Sequence, residues 1–219
     1  MSDPEPRFSE QDLAPSDEEK RAARRAIVER VATTAAVLAT GVVIGGMVAL
    51  GACAAPFVFR LTPPPWSGRA MGAAFARFDH IAIGASGLIL FSEVARIWAA
   101  GRRSRTVAAR LRRVAAVLFA GATAYMGLAL TPQINALHRA ATERDLGEAR
   151  PLSELPGTSE QAAMLEPIHR RASLVGRVEL ALGAALIGLH IFTLGARRPD
   201  DDDDDFEDAI APGAPGPRG

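Results

Sequence analysis

His80, His138 and His169, with Asp79 beside the first, are the side chains best suited to hold a ligand, because imidazole nitrogens and carboxylate oxygens are donors that divalent transition metals accept. No two of these histidines share a helical turn, so a metal site built from them would depend on the fold and not on a local motif. A second set is spaced for helix faces. Asp79, Ser86 and Glu93 stand seven apart, which at about 3.6 residues per turn places them within about 40° of one another. His169, Gly176, Gly183 and His190 repeat that spacing, with Ser173, Arg177 and Glu179 beside them. Thr131, Asn135 and His138 follow i, i+4, i+7 just after Pro132. Arg96 stands three residues after Glu93, the spacing of a helical ion pair.

The elements carrying these residues are apolar. Val31 to Phe59 holds no charge over 29 residues, more than the roughly 20 a helix needs to cross a hydrocarbon core about 30 Å thick. Val114 to Leu137 gives a second uncharged run, and Leu180 to Ala196 a third that lengthens backward only through Glu179 and Arg177. Phe78 to Ala100 is marginal. Its eight large apolar residues roughly balance one central charge costing about 2.5–3.5 kcal/mol, so insertion depends on Asp79, His80, Glu93 and Arg96 lying near the ends and on Trp98 as an interfacial anchor. The expected fold class is all-α: a polytopic membrane protein, a four-helix bundle with spans near 31–59, 78–100, 114–137 and 173–196. Residues 27–197 form that domain, between a mostly disordered tail at 1–26 and an acidic one at 198–219.

Arginine and lysine counts give the threading. Thirteen flank the spans on one side, from Lys20 to Arg30, from Arg102 to Arg113, and at Arg197 and Arg198; eight fall in the other two links. The positive-inside rule then puts both termini in the cytoplasm. Pro56 and Arg60 mark the outer end of span one, and His80, Asn135, His138 and His169 converge on the same outer mouth. Two readings of that convergence stay open: a polar rim of the kind any bundle has where it meets water, which is the plainer one, or a ligand site.

Residues 1–19 are acidic and lack an apolar core, so they do not read as a cleavable signal peptide, and the first span is expected to persist. The aspartate run from Asp200 and the Pro/Gly-rich end after it cannot bury enough apolar surface to order themselves, and they lack the loop spacing of a calcium hand. Cys53, the single cysteine, is expected to be packing. Gly41 and Gly45 have the spacing that lets membrane helices approach, and packing inside the bundle is the expectation over a dimer face. No phosphate loop, nucleophile elbow or paired-histidine zinc helix occurs, so an enzyme is not expected, and the arginine cluster at 102–113 reads as a topology signal and not as a nucleic-acid surface.

Several stretches, "GACAAPFVFR", "SGRAMGAAFARFD", "YMGLALTPQIN" and "LEPIHRRASLVGRVELALG", resemble in order the transmembrane protein 205-like family, a domain of unknown function among bacterial membrane proteins. The resemblance spans about Val31 to Gly195 and implies a four-helix membrane protein without supplying chemistry. It is consistent with a bacterial inner membrane location. Three functions compete: small-solute or ion handling through the outward polar cluster; a haem- or metal-binding module using His80, His138, His169 or His190; and a structural protein whose partners are the lipid bilayer, a basic protein or further copies of itself. No cofactor is assigned.

Overall fold

The computed structural model describes residues 15–63, 66–100, 106–144 and 159–195, and it is helical almost throughout them. Helix α1 (Asp17–Val48) passes through a π-helical turn at Ala49–Ala54 into α2 (Ala55–Leu61). Helix α3 (Trp66–Ala100) returns. Helix α4 (Val107–Tyr125) passes through a second π-helical turn at Met126–Leu130 into α5 (Thr131–Arg144), and α6 (Ser159–Gly195) completes the fold. Among the described residues four helical rods are long and apolar enough to cross a membrane.

The inside-out distribution of side chains identifies the solvent. Large apolar residues point outward: Phe91 is 69% exposed, Phe192 68% and Leu128 71%, while charged Glu93 and Arg96 are 4% and 3% exposed. Water would punish that arrangement, and lipid tails favour it, since polar groups then pair inside and small residues let backbones approach. The buried face of α1 is accordingly Ala32, Thr33, Ala36, Ala39, Thr40 and Val43. The chain is a helical integral membrane protein.

The rods close a ring in chain order: α1 packs on α3, α3 on α4, α4 on α6, and α6 back on α1. Each neighbour runs antiparallel to the last, the up-and-down arrangement that short links permit. Val43, Ile89, Phe119 and Leu186, all fully buried, meet at mid-height and fill the axis.

The elements start and stop for local reasons. Ser16 and Glu19 form a capping box: the Ser16 amide donates to Glu19 Oε2 at 2.6 Å and the Glu19 amide donates to Ser16 Oγ at 3.2 Å. This cap starts α1 at Asp17, so residues 17–26 are helical and not part of a disordered tail; residues 1–14 lie outside the described set, as do 196–219. The other rods are also longer than their uncharged cores, because helical hydrogen bonding continues through polar turns beyond the lipid. Thus α3 begins at Trp66 and not Phe78, and α6 carries Pro167 inside it. Arg110, Arg112 and Arg113, expected in a link, belong to the first turns of α4, capped by the Thr106 hydroxyl, which accepts from the Ala109 amide at 3.3 Å.

Both π-helical turns end two residues before a proline, Pro56 and Pro132. A proline ring crowds the carbonyl four residues earlier and removes one amide donor, and a widened turn relieves both problems. Two further expectations change. Cys53 is exposed and is not a packing residue. Gly41 and Gly45 face away from the bundle, with nothing within 4 Å of a side-chain position, whereas Gly46 meets the Phe78 ring and Gly183 meets Ile44 and Phe119. Helix phase, which the spacing alone leaves free, decides which glycine of a Gly-rich run does the packing.

Candidate functional site

Polar side chains gather in two layers, one on each side of the apolar plug. At the end of the bundle away from the chain termini, α1, α3, α5 and α6 diverge around a cavity of about 420 Å³. Its wall is chiefly apolar, with Met47, Phe59, Met71, Phe75, Phe78 and Met126. Two carboxylates break that wall. Glu179, 3% exposed, makes a short hydrogen bond with the Thr123 hydroxyl, whose single proton is shared between Glu179 Oε1 and Phe119 O, the latter 3.0 Å away. Asp79, 7% exposed, shares the cavity wall with Thr131, and its Oδ2 has no hydrogen-bond partner among the described residues.

The cavity mouth carries the histidines. The His138 and His169 rings meet edge to face with centroids 6.1 Å apart. The Asn135 amide donates to Gly72 O at 3.2 Å, an approach that only a glycine at 72 allows, since a Cβ there would sit on Asn135 Oδ1. Ser173 and Arg177 also line the cavity. His80 is exposed, its Nδ1 donating to Ala76 O at 2.6 Å, and it faces the neighbouring groove between α3 and α5 together with His138. Arg60 is exposed on α2 and lines neither space.

Among the described residues no three His, Cys, Asp or Glu side chains gather so as to hold a metal ion. His138 and His169 are brought together; Asp79 lies deeper in the same cavity and His80 turns out of it. His190 lies near the opposite end of the bundle. The four-membered donor set His80, His138, His169 and Asp79 is therefore not assembled here.

The second layer lies near the termini and was not foreseen as a unit. Arg112 Nε donates to Glu93 Oε1 at 2.7 Å, so the closest partner of Glu93 comes from α4; Arg96, the i+3 partner, stands at 3.8 Å. Arg96 Nη1 donates to His190 Nδ1 at 2.6 Å, which puts the imidazole proton on Nε2, 3.9 Å from Glu93 Oε1 and beyond hydrogen-bond distance of it. Thr193 Oγ1 accepts from Arg96 Nη2 at 3.2 Å and from Arg112 Nη1 at 3.0 Å. Three helices are thus tied by buried charge. Glu93 and Arg96 are legible in the sequence as an i, i+3 pair, and His190 as a member of a helix face and a candidate haem or metal ligand. Arg112 was missed, although a cap signal at Thr106 would have put it on a helix face. Ser86 lies between the two layers, buried, with its hydroxyl unbonded among the described residues.

Residues 38–143 match a family model described as a domain of unknown function, DUF4149. The matched segment ends before α6, which supplies Glu179 and His190, and its description does not carry the transmembrane protein 205-like name. No curated protein and no solved structure matches the chain.

Proposed function

We propose that this membrane protein handles a small amphiphilic cation, received in the cavity between α1, α3, α5 and α6. The carrying observation is the pair of carboxylates, Asp79 and Glu179, set in an otherwise aromatic and methionine-rich wall. Such a wall accepts an apolar body of varied shape, since methionine and aromatic side chains adapt to a guest, and a carboxylate oxygen without a protein donor is a place for an ammonium or other cationic group. Arg177 also lines the cavity, on α6 two residues before Glu179, and its charge disfavours a cation placed beside it, which leaves Asp79 as the preferred seat. The arginine-linked layer closes the opposite end, so the cavity is read as the open face of a carrier or receptor and not as a continuous pore. No bond-making step is proposed. Consistent with the arginine asymmetry, the reading sets the chain in a bacterial inner membrane with both termini cytoplasmic and the cavity opening outward.

Purified protein in lipid nanodiscs, titrated with a lipophilic cation such as tetraphenylphosphonium, tests this. Wild type is expected to bind, and Asp79→Asn and Glu179→Gln each to weaken binding by about tenfold, as loss of roughly 1–2 kcal/mol of charge pairing implies. Binding no greater than to empty nanodiscs, or binding untouched by both substitutions, would overturn the reading.

A further inference from the structure

We propose that the groove between α3 and α5 binds a membrane phospholipid, with its phosphate held by Arg69 and Arg139 and an acyl chain laid over Ala73, Ala76 and Gly127. The groove has a volume of about 390 Å³ and is distinct from the cavity of the carboxylates, although Thr131, Asn135 and His138 border both. Its residues are ordered by depth. Helix α3 runs inward from Trp66 while α5 runs outward to Arg144, so Arg69 and Arg139 share the rim and His80 and Gly127 lie at the deep end.

From Arg69 to His80 is eleven residues, or about 16 Å at 1.5 Å per residue, close to half of a hydrocarbon core about 30 Å thick. The groove is therefore one leaflet deep. Its floor is made of side chains no larger than a methyl group, at 73, 76 and 127, and Arg69, Ala73, Pro132 and Arg139 are exposed along it, so it opens sideways, where lipid stands. The Arg69 guanidinium lies 5.5 Å from the centroid of the Trp66 ring, and tryptophan is the side chain that settles at headgroup level. Guanidinium groups match phosphate oxygens two at a time. Asp79 lies behind Gly127 at the deep end, about a leaflet's depth from Arg69 and Arg139, and no carboxylate is among the described residues that line the groove with those arginines. A free phosphate would satisfy the arginines but would leave the small-residue channel below them without an occupant, which is why a lipid is the ligand assigned.

Native mass spectrometry of the full-length chain, extracted from membranes in mild detergent, tests the assignment. Wild type is expected to retain a phospholipid adduct. Arg69→Gln with Arg139→Gln should lower its retention by roughly 20- to 30-fold, about fivefold for each arginine at the surface. Ala73→Leu, at an exposed position that leaves the bundle core untouched, should lower it with both arginines in place. Equal retention by the double Gln variant, retention of a neutral diacylglycerol as strong as that of phospholipid, or loss of the adduct to millimolar inorganic phosphate that the Ala73→Leu chain still binds would each overturn the proposal.

Discussion

Glu93 shows how a single side chain can set the character of a membrane bundle. It is almost wholly buried and takes its shortest hydrogen bond from Arg112 of α4, at 2.7 Å. Removing one partner of such a pair strands the other charge at low dielectric, a loss of about 3–5 kcal/mol, whereas replacing both with apolar residues removes the desolvation cost as well. Glu93→Leu, which removes the carboxylate that Arg96 and Arg112 share, is expected to lower the melting temperature in detergent more than Arg112→Leu, which leaves Arg96 to balance Glu93, and the double variant to recover part of the loss seen in Glu93→Leu alone. A double variant as unstable as the sum of the two would contradict this. The sequence displayed Glu93 and Arg96 but not this partnership. Arg112 falls among six arginines whose evident role was to set topology, and only the phase of α4 and its packing on α3 and α6 turn one of them inward. The histidines show the limit of threading, which puts His80, His138 and His169 at one mouth but leaves side-chain direction open: His80 goes to the groove, and His138 meets His169.

Helical elements were far more legible, because long uncharged runs can only be helices in lipid, where every backbone group must bond within its own segment. Their ends were less so, since capping and polar turns lie outside the lipid and leave no mark on hydropathy. Glycines show where local pattern stops being informative. A side chain at Gly46 would collide with the Phe78 ring, while one at Gly41 would meet nothing within 4 Å. Gly46→Leu is expected to destabilise the α1–α3 contact by about 1–3 kcal/mol, the usual penalty of overpacking, and Gly41→Leu to leave stability unchanged or slightly raised. Thermal unfolding of the two variants separates them; a destabilised Gly41→Leu chain would mean that the outer face of α1 is covered by another subunit. Both proline-linked π turns border the cavity of Asp79 and Glu179, through Gly51 and Met126.

At the scale of the whole molecule, the architecture is two polar layers separated by one apolar layer. Threading is tested by reporter enzymes that work only outside the cytoplasm: fusions after the last helix and before the first are both expected to be silent, and a fusion in the link between α5 and α6 to be active. Opposite outcomes at the two chain ends would rule out an even number of crossings. The plug of Val43, Ile89, Phe119 and Leu186 has one more implication when set against the open cavity above it. Electrolyte entering that cavity would carry the potential of its own side down with it, so the voltage across the membrane would drop over a septum made of the apolar plug and the buried layer of Glu93, Arg96, Arg112 and His190 beyond it. A monovalent guest seated beside Asp79 has hardly begun to feel the field, yet crossing that septum would expose it to nearly the full difference, about 2.3 kcal/mol for each 100 mV.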